Sequence, residues 1–136
     1  MSKPAILCVD DEKIILTSLT RQLKQVFADN YIYEMAESAD EAIEIIEELS
    51  DDNINVMVIV SDWLMPGMKG DEFLIRVHQK FPNVVKILLT GQADKTAIER
   101  ATNEANLHSY LAKPWSEKEL IESIESGLKK IGQTPL

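Results

Sequence analysis

Two periods alternate along the chain. Short runs of β-branched or apolar residues stand at "AILCV", "YIYEMA", "VMVIVS", "VKILLT" and "HSYLA". Between them, apolar residues return every three or four positions, the spacing of helices with one buried face. The first such stretch carries Ile15, Leu16, Leu19, Leu23, Val26 and Phe27. The second carries Ala42, Ile43, Ile46 and Leu49, and Ser38 with Glu41 forms a capping-box start. The third holds Phe73, Leu74, Val77 and Phe81 before Pro82. A fourth, from about Asp94 to Ala105, has few apolar anchors and suits a mobile element. The fifth opens at Ser116 with Glu119, a second capping box, and carries Leu120, Ile121, Ile124 and Leu128.

Five strands alternating with five helices predict parallel strands, right-handed crossovers and an α/β sheet covered on both faces. "AILCV", "VMVIV" and "VKILL" read as apolar throughout, as strands buried on both sides must be. "YIYEMA" is mixed, as an edge strand would be. Nothing repeats internally, and no Pro/Gly-rich linker interrupts the pattern before the last few residues. The predicted domain covers 3–131, with 132–136 a tail or the start of a linker.

Bulk numbers narrow the function only a little. The 136 residues suffice for one ordinary domain, and 45% apolar with 27% charged residues is a globular balance. A net charge of −9 repels phosphate backbones and anionic lipids, so neither nucleic acid nor membrane is expected as a direct partner. No apolar run reaches bilayer length, and the N-terminus lacks a secretory profile. Cys8 is the single cysteine, which fits a reducing compartment; a cytoplasmic location is the expectation.

The chemistry concentrates where the strands end. In open α/β sheets, ligands bind beyond the carboxyl ends of the strands, near the reversal of strand order. Here the first strand runs into Asp10 and Asp11, the third into Asp62, the fourth into Thr90 and Gly91, and the fifth into Lys113 and Pro114. Two like charges ~4 Å apart repel by about 4 kcal/mol at an effective dielectric near 20. Three carboxylates together therefore call for cations. Lys113 offers one, and a hard divalent ion such as Mg²⁺ suits carboxylates, a backbone carbonyl and waters. With the metal present, one carboxylate can act as a nucleophile toward phosphorus and form an acyl phosphate.

Together, "VDDE", "VIVSDWLMPGMKG", "LLTG" and "YLAKP" at these intervals resemble the receiver domain of bacterial two-component response regulators, over about Lys3 to Ile131. The resemblance implies a flavodoxin-like, doubly wound, five-stranded parallel sheet in the order 2-1-3-4-5. It implies that Asp62 accepts a phosphoryl group from the phosphohistidine of a sensor kinase or phosphotransfer protein. Asp11 would be the direct acidic metal ligand, Asp10 would act largely through water, and the backbone carbonyl of Leu64 would complete the protein ligands of Mg²⁺. Thr90 would turn toward the phosphoryl group and Lys113 would pair with it. Tyr110 would swing inward once Thr90 has moved, reshaping the face built from the fourth helix, fifth strand and fifth helix. The Lys113–Pro114 bond falls at a position that is cis in the family. The implied partners are the kinase and an output domain or effector protein, with a homodimer formed on phosphorylation as a further option. No enzyme activity is implied beyond the domain's own phosphorylation and dephosphorylation.

Each residue alone has a plainer reading. Asp10 or Asp11 could cap the first helix, Asp62 could be a solvated loop acid, and Gly67 and Gly70 are ordinary turn glycines. Cys8 reads as a small core hydrophobe, while His78 and His108 lack ligand-spaced partners. Trp63 and Trp115 flank the site and serve shielding, docking or packing equally well. The acidic run "EIIEELSDD" is most simply a solvated helix face. Leu64 and Gln92 occupy positions that vary in receivers and bear on phosphoryl lifetime.

Three rivals remain. An aspartate-nucleophile phosphatase would want an acid two residues after the nucleophile, where Leu64 stands. A flavin- or dinucleotide-binding protein would want glycines and amide donors where "VDDEK" puts carboxylates. A degenerate receiver used only for docking would not keep Asp10, Asp11, Asp62, Thr90 and Lys113 together. No helix-turn-helix or catalytic pattern follows Ile131, so the chain reads as a stand-alone regulator or the receiver part of a longer protein. "LTGQAD" with "YLAKPW" is similar to receivers joined to enzymatic output domains, including cyclic-dinucleotide phosphodiesterases.

Overall fold

Apolar side chains that point alternately up and down give a strand two dry faces, and both must be covered. The computed structural model, which describes residues 3–91 and 95–132, resolves this demand with helices on either side of one sheet. In chain order the elements are β1 (Ala5–Val9), α1 (Lys13–Phe27), a 3-10 turn (Ala28–Asn30), β2 (Ile32–Ala36), α2 (Ala39–Asp51) and β3 (Val56–Asp62). They continue with α3 (Gly70–Lys80), β4 (Val85–Thr90), α4 (Lys95–Ala105), β5 (Ser109–Ala112) and α5 (Glu117–Lys130). All neighbouring strands pair parallel, in the order β2-β1-β3-β4-β5, the order of the flavodoxin-like fold.

The alternation is literal in β1. Leu7 and Val9 enter one core with Ile59, Leu88 and the faces of α2, α3 and α4. Ile6 and Cys8 enter the other with Val58, Ile87 and the faces of α1 and α5. Each fully buried Leu, Ile or Phe contributes about 1.5–3 kcal/mol by leaving water, so these two layers dominate stability. Strand β2 lies at the edge and is half-exposed, as its mixed composition predicts.

Both serine caps form, whereas the glutamate arms differ from a full capping box: Glu41 Oε1 accepts from the Glu37 amide and Glu119 Oε1 from Ser116 Oγ. Ser38 Oγ accepts from the Glu41 amide at 3.1 Å, and Ser116 Oγ accepts from the Glu119 amide at 3.0 Å. Helix α4 buries a stripe of small residues, Ala97, Ala101 and Ala105, and this is why it looked poorly anchored. The start expected near Asp94, the Gln92 position and residues 133–136 of the tail lie outside the described residues.

Strand β4 departs from its reading as apolar throughout. Lys86 is 1% exposed, and its ammonium leaves the core only by running to the strand's amino end. There Nζ donates to the carbonyls of Val84 at 2.8 Å and Pro82 at 3.5 Å. The four-carbon stem fills the α3 side of the sheet as a hydrophobe would. Burial pushes the Lys86 ammonium down to a pKa of about 8.

Candidate functional site

Strand order reverses between β1 and β3, because β2 lies on one side of that pair and β4 and β5 on the other. The carboxyl ends of β1 and β3 therefore frame a crevice, and Asp10 and Asp62 stand in it. Asp10, Asp11 and Asp62 each offer one carboxylate oxygen to a group whose members lie within 4.8 Å of one another. Lys113, just after β5, reaches across: Nζ is 2.8 Å from Asp10 Oδ2 and 3.1 Å from Asp62 Oδ1. The Lys113–Pro114 bond is cis, and the Lys113 amide donates to the Thr90 carbonyl at 2.8 Å.

Asp10 does not cap α1, whose N-cap, Glu12, has no side-chain cap bond. Asp10 Oδ1 accepts from the Glu12 amide at 2.9 Å at the start of α1, while Oδ2 holds Lys113. Its side chain is fully buried, so an unpaired charge there would be costly. Asp11 is exposed at the mouth, and Asp62 is 5% exposed at the floor. Burial pushes the Asp62 carboxyl above the usual carboxylate range, and the charges of Asp10 and Asp11 add to this. The hydrogen bond from Lys113 opposes it. Burial alone would push Lys113 down, but its bonds to Asp10 and Asp62 leave it above the ordinary lysine value.

The loop after Asp62 is fixed by backbone. The Trp63 amide donates to the Leu89 carbonyl and the Trp63 carbonyl accepts from the Gly70 amide, both at 2.8 Å. Gly67 sits at φ 79°, where a side chain would strain the turn. Gly70 is more than a turn glycine: a Cβ there would lie 2.2 Å from the Asp62 carbonyl oxygen. Its lack of a side chain lets α3 start against the end of β3. Ser61 Oγ donates to the same carbonyl at 2.9 Å.

The remaining candidates fall as follows. Asp11, Asp62, Leu64, Gly91 and Lys113 line one open pocket, with the Leu64 side chain 61% exposed. Thr90 ends β4, 3% exposed, and Tyr110 points outward from β5, 54% exposed. Trp63 borders the pocket, whereas Trp115 turns away to bond Gln22 Oε1 at 2.7 Å and packs on the α1 and α5 core. Cys8 is a core residue whose thiol burial pushes up to about 12. Neither histidine joins a ligand group among the described residues. Sequence reasoning missed Asp71, which is buried, accepts from the Trp63 indole at 3.2 Å and pairs with Arg100 at 3.3 Å. Asp71 follows a turn glycine in "KGDEF", with nothing local to mark a partner 29 positions on.

The donor set fits a hard divalent cation. Three clustered carboxylates face one ammonium, all are oxygen donors, and one acid is open to solvent.

The "Response regulator receiver domain" family matches residues 6–125. The chain is 33% identical over 93% of its length to the hydrogenase transcriptional regulatory protein HoxA of Cupriavidus necator, and spans 24% of that protein. Among solved structures, the signal receiver domain of an HD domain-containing protein from Pseudomonas fluorescens Pf-5 superimposes with a TM-score of 0.84. It shares 31% identity and covers 96% of this chain and 98% of that one. The beryllofluoride-activated NtrC4 receiver domain dimer gives a TM-score of 0.80 at 27% identity, over 93% of this chain and 98% of that one. An acidic crevice where the strand order turns, on a sheet matched along nearly its whole length, makes this chain a member of the response regulator receiver family, the phosphoacceptor domains of two-component signalling.

Proposed function

We propose that Asp62 is the phosphoacceptor of this receiver and that Asp10, Asp11, Thr90 and Lys113 serve its phosphorylation. One observation carries the reading: Lys113 Nζ lies 2.8 Å from Asp10 and 3.1 Å from Asp62, so a single ammonium ties the acid cluster to the fifth strand. An Asp62 carboxylate oxygen attacks the phosphorus of a phosphohistidine, the P–N bond breaks, and the imidazole leaves with a proton. Lys113 holds an oxygen of the transferring group, and the Thr90 hydroxyl turns to hold another.

Asp11, Asp62 and the Leu64 carbonyl would hold Mg²⁺ directly. Asp10, with one oxygen on the Glu12 amide and the other on Lys113, would hold it through water. When bound, the ion supplies positive charge to both the acid cluster and the phosphoryl oxygens. Thr90 moving inward leaves room for Tyr110, now half-exposed, and the face of α4, β5 and α5 changes shape.

The phosphodonor is a sensor histidine kinase or phosphotransfer protein, and the changed face engages an output domain or effector. The dimeric state of the NtrC4 relative supports a phosphorylation-dependent homodimer as one form of that output. The proposed domain is 3–131.

Incubation with a small phosphodonor and Mg²⁺ is expected to add one acid-labile phosphoryl group to the intact mass. Asp62→Asn is expected to abolish it. Labelling that survives in the variant would overturn the assignment.

A further inference from the structure

A second charge network starts one residue after Asp62 and ends on α4. The indole Nε1 of Trp63 donates to Asp71 Oδ1 at 3.2 Å, under a ring that the Lys69 ammonium covers at 5.1 Å. The other Asp71 oxygen accepts from Arg100 Nη1 at 3.3 Å, and Arg100 Nη2 donates to Glu72 Oε1 at 2.6 Å. Arg100 thus forks over two acids in the first turn of α3 from a seat in the middle of α4.

The plainer account is a surface salt bridge, and such pairs contribute about 0–1 kcal/mol. That account suits Arg76 with Glu72 and Lys80 with Glu47, which are exposed. It does not suit Asp71. This carboxylate is 8% exposed, and its two oxygens are committed to different elements, one to the acceptor loop and one to α4. An indole N–H has a single direction, so where Asp71 sits sets where the Trp63 ring sits. The Trp63 backbone is itself bonded to β4 and α3 and is continuous with Asp62.

We propose that Asp71 is a positioning residue that couples the acceptor loop to α4, with Trp63 and Arg100 as its two arms. The proposal rests on Asp62 being the acceptor. The bridge is present with Tyr110 pointing outward; on this proposal the state favoured by an occupied site lacks it, so that the bridge stabilises the outward state. Releasing Arg100 should therefore tighten occupancy of the acidic pocket, and linkage requires occupancy to loosen the bridge equally. Arg100→Met keeps the stem and removes the fork, leaving every group in the acceptor pocket in place. Arg100→Lys keeps the charge but cannot bond both acids in one plane, so its affinity should fall between those of wild type and Arg100→Met.

The test titrates the full chain with Mg²⁺ and beryllofluoride by calorimetry, in wild type, Arg100→Met, Trp63→Phe and the double variant. Unfolding curves check that each is folded. Arg100→Met is expected to bind about 3- to 10-fold tighter, and the gain should largely vanish in the Trp63→Phe background. Unchanged or weaker binding, or a gain that persists undiminished without the indole, would overturn the bridge alone. Wild type that takes up no beryllofluoride, or Asp62→Asn that takes it up equally, would overturn the acceptor reading and the bridge with it.

Discussion

Lys113 and Lys86 stand at opposite edges of the same sheet, and both are largely removed from water. At the carboxyl edge, Lys113 meets two carboxylates, and its charge is held more firmly than in solution. At the amino edge, Lys86 meets, among the described residues, the carbonyls of Val84 and Pro82 and no carboxylate, and burial pulls its pKa down to about 8. Lys86 is the deeper, 1% exposed against 20% for the Lys113 side chain, but it is the partners that set the opposite directions. A buried cation becomes chemistry where it answers an excess of negative charge, and remains a stability cost where it answers dipoles alone. The acid cluster at the carboxyl edge has the converse property, since its charges are tolerable only with cations nearby.

The largest effect should come from removing the cation that has carboxylate partners. Lys113→Met leaves Asp10, fully buried, facing Asp62 with no protein counter-charge. Breaking one side of such a pair costs about 3–5 kcal/mol, and the part-exposed lysine argues for about 3. Urea unfolding at neutral pH measures this directly. Millimolar Mg²⁺ should recover a larger share in the variant than in wild type, because the ion then supplies the missing charge. An unchanged unfolding midpoint would mean that Lys113 is no counter-ion.

The matching change at the other edge should have the opposite sign. Lys86→Met keeps the buried stem and removes an ammonium that, among the described residues, two carbonyls and no carboxylate receive. Those carbonyls border an open groove beside Pro82 and Val84, where water can replace the amine. The variant is expected to be more stable by about 1–2 kcal/mol at pH 7, read in the same urea experiment. Destabilisation would show that the carbonyl contacts outweigh burial, and the two lysines would then be alike.

How much of this contrast could be read in the sequence depended on how local its causes are. Strand ends are local, so "VDD", "VSD", "LLT" and "LAKP" are enough to put Asp10, Asp62, Thr90 and Lys113 on one edge. Caps are local too, and Ser38 and Ser116 behave as their spacing predicts. Lys86 was hidden because one cation among Val, Ile and Leu does not disturb a strand signal. Its escape to the amino end depends on the turn at Pro82 to Val84. The Asp71–Arg100 contact spans 29 positions and two helices, and charge pattern within either helix says nothing of the other. Gly70 was read as a turn former because its close approach is to a carbonyl on another element. Trp115 read equally well as shielding, docking or packing, and the hydrogen bond that decides for packing is to Gln22 on α1, far along the chain.

The smallest effect is a pH dependence, and its sign separates the two edges. A lysine in the unfolded chain titrates near about 10.4, whereas folded Lys86 titrates near about 8. Below the lower value both states carry the proton, and the full cost of a buried charge is present. Between the two values the folded state has lost a proton that the unfolded state keeps, so stability rises with pH, by at most about 1.4 kcal/mol per unit. The raw curve hides this. The Cys8 thiol is held up to about 12, so above about pH 8.5 the unfolded chain ionises a group that the folded one does not, and stability falls by a similar slope. The readout is therefore the difference between wild type and Lys86→Met, measured by urea unfolding from pH 7 to pH 10. The variant's advantage should hold up to about pH 8 and shrink above it, because folded wild type is then losing the charge that the variant lacks. An advantage that stays constant would mean that Lys86 keeps its proton in the core, held at the amino edge as firmly as Lys113 is held at the other.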